Sequence, residues 1–208
     1  MRPAVCKACN HEEHDFRSLP ESSYAYLLGM YLGDGSIDRL PRTWRLRIFM
    51  DMKWPGIIRE CIAAMHAVLP TNRVSLYQPD RRSRGAVAVV HSKQLVCLFP
   101  QHGPGPKHLR PIRLATWQAS LVREQPRDFL RGLIHSDGCR FTNMVRAGGK
   151  TYAYPRYNFT NASEDVRNLF TSTCDLIGIE WRKMNTWDIS VAKRDSVAHL
   201  DEFVGAKE

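Results

Sequence analysis

Two spacings of apolar residues alternate along this chain. From Ser22 to Leu32 the apolar positions run almost unbroken, after a Ser22-Ser23 pair able to cap a helix and before Gly35, which breaks one. At residue 44 the period drops to two: Trp44, Leu46, Ile48 and Met50 fall on one face, and Arg45, Arg47 and Phe49 on the other. Such alternation predicts a strand buried on one side and basic on the other. Helical spacing returns from Trp54 to Ala67. Arg73–Tyr77 and Ala86–His91 then read as strands joined by the basic loop QPDRRSRG, and Lys93–Phe99 as a short helix, giving the order αββαββα.

A connector rich in Pro and Gly follows, with a short helix from Trp117 to Glu124 that ends before Pro126. The order then repeats. A helix over 127–136 closes on Asp137-Gly138, and strands are expected over Cys139–Met144 and Arg156–Asn161. Arg156, Asn158 and Thr160 share one face of the second of these, and Tyr157 and Phe159 the other. Ser163 caps a helix to Leu176, strands follow around Trp181 and over Trp187–Val191, and Lys193–Val204 is the last helix. The pattern predicts an α/β (α+β) chain in four parts: a Cys/His-rich tail (1–19), a first half (20–100), a connector (101–125) and a second half (126–208).

The halves also share a local motif. Residues 27–35 read LLGMYLGDG and residues 130–138 read LRGLIHSDG, so Asp34 and Asp137 stand 103 residues apart, too far for a solenoid repeat. Ala25, Gly29 and Gly33 fall at i, i+4 and i+8 on one face of the first helix, and Gly132 and Ser136 on the matching face of the second. Small residues spaced by four let helix backbones approach closely. The expected crossing places Asp34 and Asp137 together at the C-terminal ends of both helices, where carboxylates are unfavourable without a cation. A pair of hard divalent ions, Mg²⁺ in a cell, resolves the conflict.

Charge narrows the partner. Lys+Arg number 30 against 21 Asp+Glu, a net charge of +9, which points to a polyanion and to nucleic acid first. No run of eighteen apolar residues exists, the N-terminus lacks the apolar core of a signal peptide, and the six cysteines suit a reducing compartment. A cytoplasmic, nucleoid-associated protein is expected.

At the two nonapeptides, with their αββαββα context and basic strands, the chain resembles the LAGLIDADG (dodecapeptide) homing endonucleases in their single-chain form, over roughly residues 20–205. Tyr31 and His135 replace more ordinary apolar residues of the motif, and the residue before the aspartate is Gly33 in one half and Ser136 in the other. The resemblance implies two pseudo-symmetric units, interface helices formed by the motifs, and a curved antiparallel β saddle lying along the DNA major groove. It also implies a metal-dependent endonuclease that cuts double-stranded DNA as a monomer. Asp34 and Asp137 become the catalytic metal ligands, with backbone carbonyls of Gly33 and Ser136 beside them. His135 is expected to be a packed helix residue.

A lysine is expected near the phosphate, and Lys93 and Lys193, just after the last strand of each half, are the candidates. Arg45, Arg47, Arg73, Arg156, Asn158 and Arg182 are placed to read bases, because Arg suits guanine and Asn adenine. Arg140 joins them as a DNA-binding candidate, while Arg81, Arg82 and Arg84, with Arg146 and Lys150, are placed to grip phosphates. In the tail, Cys6-x-x-Cys9 is half of a zinc site; the other half is sought in His11 and His14, or in His102 and His108 of the connector, and a tail without a metal is the alternative. Two other functions share this fold. A non-cleaving DNA-binding transcriptional regulator is expected to have lost the acidic residues, which remain here, and an RNA-splicing maturase has the same charge.

Overall fold

The structure is a computed structural model that describes residues 6, 8–9, 15–80, 84–205 and 207. Its first half comprises α1 (Glu21–Asp34), β1 (Gly35–Arg39), β2 (Trp44–Asp51), α2 (Pro55–Val68), β3 (Val74–Tyr77), β4 (Gly85–His91) and α3 (Leu95–Leu98). A connector carries α4 (Thr116–Glu124). The second half repeats the order with α5 (Pro126–Asp137), β5 (Gly138–Ala147), β6 (Lys150–Thr160), α6 (Glu164–Leu176), β7 (Arg182–Lys183), β8 (Asp188–Val191) and α7 (Arg194–Phe203). Among the described residues these build two four-stranded antiparallel sheets, β1-β2-β4-β3 and β5-β6-β8-β7. The α+β class and the internal repeat are as expected.

The alternating stretches behave as their pattern predicts. Leu46, Ile48 and Met50 of β2, and Tyr157 and Phe159 of β6, enter the core, while Arg45, Arg47, Arg156 and Asn158 stay partly exposed on the opposite faces. Ser163 caps α6, its Oγ accepting from the backbone N–H of Val166. Two features have no apolar signature. Strand β1 offers one apolar residue, Ile37, and is held by pairing with β2. The β5–β6 hairpin extends well past the expected strands, through the pair Ala147↔Lys150, and turns on Gly148 and Gly149 at φ 57° and 74°. Left-handed backbone at both central residues is the two-residue hairpin turn that glycine permits. Asn161, expected to end the strand, lies just outside it.

From Tyr24 to Leu32 helix α1 is apolar on every side and every residue is buried, the signature of a central helix. It packs along α5. A Cβ on Gly29 would stand 2.5 Å from the carbonyl oxygen of Phe129 and 2.7 Å from the amide nitrogen of Leu133; one on Gly132 would overlap the carbonyl of Tyr26. The helices therefore meet backbone to backbone, and one apolar cluster runs through both halves. A buried polar knot joins them to the connector: Gln118 of α4 donates to Tyr24 Oη (2.7 Å) and accepts from Gln101 Nε2, while Tyr24 Oη donates to the Leu98 carbonyl.

Since neither backbone can give way without parting the helices, Gly29→Ala and Gly132→Ala should each destabilise by about 1–3 kcal/mol, the range for an overpacked core site. Urea unfolding measures this. Wild-type midpoints for both variants would mean that the helices do not touch at these residues.

Candidate active site and nucleic-acid face

The close crossing brings the two helix C-termini together. Gly33 abuts the second half directly: a Cβ there would overlap Ser136 Oγ and lie 2.9 Å from Asp137 Oδ2. Asp34 and Asp137 are half-buried and repel each other. Burial first, and then the neighbouring Asp137 charge, push the Asp34 carboxyl up to about 6, against the opposing pull of Lys107 and Lys207. Burial likewise raises Asp137, but a hydrogen bond from Asn161 Nδ2 to its Oδ2 (2.6 Å) and the same two lysines oppose the rise.

Those two lysines cap the helix ends. Lys107 Nζ donates to the carbonyls of Tyr31 (2.6 Å), Gly33 (2.6 Å) and Gly35 (2.9 Å). Lys207 Nζ donates to the carbonyls of His135 (3.1 Å) and Gly138. Each ammonium sits where a helix dipole is negative. Burial lowers both, Lys107 to about 8, although the aspartates pull the other way.

Two clefts flank the carboxylate pair, and their composition is crossed. One, of about 410 Å³, is lined by Asp34 of the first half and Lys207 of the second, with Met50, Asp51, Arg84 and Ser136. The other, of about 320 Å³, is lined by Asp137 of the second half and Lys107, which precedes it in the connector, with Gly33, His108, Asn161 and Trp187. The sheet registers Gly35↔Ile48 and Gly138↔Phe159 make Met50 and Asn161 equivalent positions. Asp137 thus has an amide partner where the place corresponding to it beside Asp34 holds a buried methionine.

Of the expected site residues, Asp34, Asp137, Gly33 and Ser136 converge. The Gly33 carbonyl accepts from Lys107, and Ser136 Oγ donates back to the carbonyls of Gly132 and Leu133 (both 3.0 Å). Lys93 and Lys193 do not line either cleft: both are exposed, and Lys193 bonds Glu180. The lysines that do line the clefts are Lys107 and Lys207, neither of which adjoins a motif in the sequence. His135 is a packed residue as expected. Its Nε2 faces the Val204 carbonyl, which can only accept, so that nitrogen carries the proton and Nδ1 accepts from Tyr26 Oη, each at 3.1 Å. Burial lowers its pKa to about 4 and keeps the ring neutral.

The donor set fits a hard divalent ion: two carboxylates, deprotonated only at a cost, and helix-end carbonyls that already attract cations. Asp34, Asp137 and the carbonyls of Gly33 and Ser136 are the residues that would hold it.

On the sheets, Arg45 and Arg47 share a face with Ser36 and Asp38 of β1, and Asp38 Oδ2 anchors both guanidinium groups at 3.2 and 2.8 Å. In the second half Arg156 and Asn158 pair with Phe141, Cys139 and Ser190, and Arg182 lies opposite Ser190. Arg156 leans on the Phe141 ring, and Asn158 Nδ2 donates to Thr160 Oγ1 and Asp188 Oδ1 (3.1 and 3.2 Å). Among the described residues, the Nε atoms of Arg45, Arg47 and Arg156 are buried without a hydrogen-bond partner, although the side chains are partly exposed. Arg73 is exposed just before β3, and Arg146 and Lys150 are exposed at the hairpin tip. Arg84 is exposed, while Arg81 and Arg82 lie outside the described residues. Arg140 departs from expectation. It pairs with the core-facing Tyr157, on the other face of the sheet, and Asp201 of α7 holds it through two hydrogen bonds of 2.7 and 2.8 Å.

His102 and His108 do not join Cys6 and Cys9. His102 bonds the Phe99 carbonyl and packs edge-on against Trp44, His108 lines the second cleft, and His11 and His14 lie outside the described residues. The thiols that gather are Cys6, Cys9 and Cys97, a group able to hold a metal ion. Among the described residues no helix is long and apolar enough to cross a membrane.

The raised Asp34 pKa sets a pH signature. With its ordinary value near 3.8 in the unfolded chain and about 6 in the fold, the folded state binds more protons between these limits. Stability in EDTA should therefore fall as pH rises from about 4 to 6, and Asp34→Asn should flatten that slope. Mg²⁺ should raise the melting temperature above pH 6 and not below pH 4. Equal stabilisation by Mg²⁺ at both pH values would place the ion elsewhere.

No family model matches the sequence, and no curated protein matches it. Solved structures do. A crystal structure of I-DmoI in complex with DNA and Mn superposes with a TM-score of 0.59 at 13% identity, covering 89% of this chain and 98% of that one. A structure of mesophilic variants of the homing endonuclease I-DmoI gives 0.57 at 15% identity, with 89% and 97% covered. The LAGLIDADG meganuclease I-AabMI bound to uncleaved DNA gives 0.54 at 12% identity, with 86% and 82% covered. At such identities the likeness is one of architecture, and it spans both halves, the crossed helices and both sheets: the chain has the fold of the LAGLIDADG homing endonucleases.

Proposed function

We propose that this protein is a metal-dependent, site-specific endonuclease acting on double-stranded DNA. The observation that carries the reading is the pair of crossed clefts, each with one carboxylate and one half-buried lysine, beside sheets whose solvent faces bear arginine and asparagine. Two reaction sites a short way apart suit the two strands of a duplex. The net charge of +9 suits its phosphates, and the similar structures include I-DmoI in complex with DNA and Mn or Ca. Retention of both carboxylates weighs against a regulator that binds without cutting.

Asp34 and Asp137, with the Gly33 and Ser136 carbonyls, would hold Mg²⁺. When bound, the ion supplies Lewis acidity toward the scissile phosphate and the attacking water. The protein's own groups do the rest. Lys107 and Lys207 bring positive charge to the two clefts, held there by their bonds to the helix-end carbonyls, and so offset the charge of a phosphate bound beside the aspartates. Asn161 keeps the Asp137 carboxylate oriented and charged. Arg45, Arg47, Arg156, Asn158 and Arg182 read base edges, and Arg73, Arg84, Arg146 and Lys150 bind phosphates. Arg47 and Asn158 occupy equivalent strand positions, so the two half-sites differ and the target is long and only loosely palindromic. Both halves lie in one chain, and a monomer suffices.

Asp34→Asn or Asp137→Asn should abolish cleavage and leave DNA affinity intact or raised, since phosphate repulsion falls. Lys107→Met and Lys207→Met should each slow cutting of one strand more than the other, so that nicked DNA accumulates. Time courses on a target selected from a randomised duplex library, with Mg²⁺ and with EDTA, measure both. Wild-type cutting by either asparagine variant would move the site elsewhere.

Arg47→Ala or Arg156→Ala should relax preference at one or two base pairs, by about 1–3 kcal/mol at those positions. Arg146→Ala with Lys150→Ala should instead weaken all sequences alike and flatten the salt dependence by roughly one phosphate per charge. The same uniform loss from both kinds of variant in a binding-site selection would remove base reading from these strands.

A further inference from the structure

The N-terminal Cys-x-x-Cys turn takes no part in the clefts, yet it is drawn against the first half. Cys6 Sγ lies 3.6 Å from Cys97 Sγ of α3, and the sulfurs of Cys6, Cys9 and Cys97 all fall within 4.8 Å of one another. The backbone N–H groups of Ala8 and Cys9 donate to the Cys6 sulfur, so the turn curls around that sulfur. No disulfide joins these residues, and their spacing is not that of one: a disulfide needs about 2.05 Å between sulfurs. Thiolates around tetrahedral zinc, each about 2.3 Å from the metal, stand roughly 3.8 Å apart. The Cys6–Cys97 separation of 3.6 Å matches the latter, and Cys9 lies within 4.8 Å of both.

We propose that Cys6, Cys9 and Cys97 form a structural zinc site that staples the N-terminal segment to α3. Three sulfur donors select a soft or borderline ion over Mg²⁺, and a Cys-x-x-Cys turn plus one distant cysteine supplies three corners of a tetrahedron. The fourth corner belongs to a ligand outside these three. The staple has a mechanical target. Cys97 directly precedes Leu98, whose carbonyl accepts from Tyr24 of α1, and the connector that carries Lys107 begins just beyond. Downstream of the turn, Phe16 stacks on Trp117 of α4 with ring centroids 4.1 Å apart, so the segment is fastened at a second point. The proposal is independent of the nuclease reading.

The test uses full-length protein carrying Asp34→Asn and Asp137→Asn, so that the carboxylate pair contributes no metal site, stripped of metal and kept reduced. Titrated with Co²⁺, it should bind one equivalent and develop the sulfur-to-cobalt charge-transfer and intense d–d bands of a tetrahedral thiolate site. Zn²⁺ should bleach those bands and Mg²⁺ should not. Cys97→Ser should weaken Co²⁺ binding more than tenfold. Cys6→Ser, in the turn and away from the core, should do the same even if Cys97→Ser folds poorly, and the exposed Cys139→Ser should change nothing. Zn²⁺ should raise the melting temperature of the background protein and not that of Cys6→Ser. Absence of the thiolate bands, their persistence in both Cys6→Ser and Cys97→Ser, or a Cys6–Cys97 disulfide in protein purified without air would overturn the site.

Discussion

The architecture depends on the absence of two side chains. With hydrogen alone at Gly29 and Gly132, α1 and α5 come together until carbonyls and amides touch across the interface. That approach forces two helix C-termini, two carboxylates and their negative dipole ends into one small volume of a strongly basic protein. Everything at the centre answers this concentration of negative potential. Two lysines reach in to donate to the orphan carbonyls, Asn161 donates to one aspartate, and the other aspartate holds a proton up to a pH near 6. A cation between the two carboxylates would relieve this concentration of negative potential.

Symmetry at the level of the fold is broken at the level of the groups. Arg45 and Arg156 stand at equivalent strand positions, but Arg47 corresponds to Asn158 and Met50 to Asn161. The first difference lies on the solvent face and alters the hydrogen-bonding groups that face presents. The second lies beside a carboxylate and alters how firmly that carboxylate holds its charge. The backbone repeat therefore carries two inequivalent environments.

How much could be read in advance follows from whether a residue's role is local. The nonapeptides, the alternation at Trp44–Met50 and the cap at Ser163 encode their roles in immediate neighbours, and the structure follows them. Strand β1, with one apolar residue, and the outer part of the β5–β6 hairpin, exposed on both faces, carry no hydrophobic period and exist through pairing alone. The lysines were harder still. Lys107 and Lys207 are separated by 100 residues, and so are Lys93 and Lys193, so the repeat admits both pairs equally. Only the path of the connector and of the chain beyond α7 decides which pair reaches the helix ends. Cys97, inside the apolar run LVCLF, reads as core until the tail is seen beside it. Arg140 reads as one more basic strand residue until pairing with Tyr157 assigns it to the helical side.

The crossed composition of the clefts has a consequence for descent. Each draws its carboxylate from one motif helix and its lysine from the segment that follows the other half's last helix. Damage to either half therefore removes a group from both clefts, and neither half alone can keep one whole. A recombinant that grafts one half onto a foreign partner inherits, in both clefts, a mixture of parents.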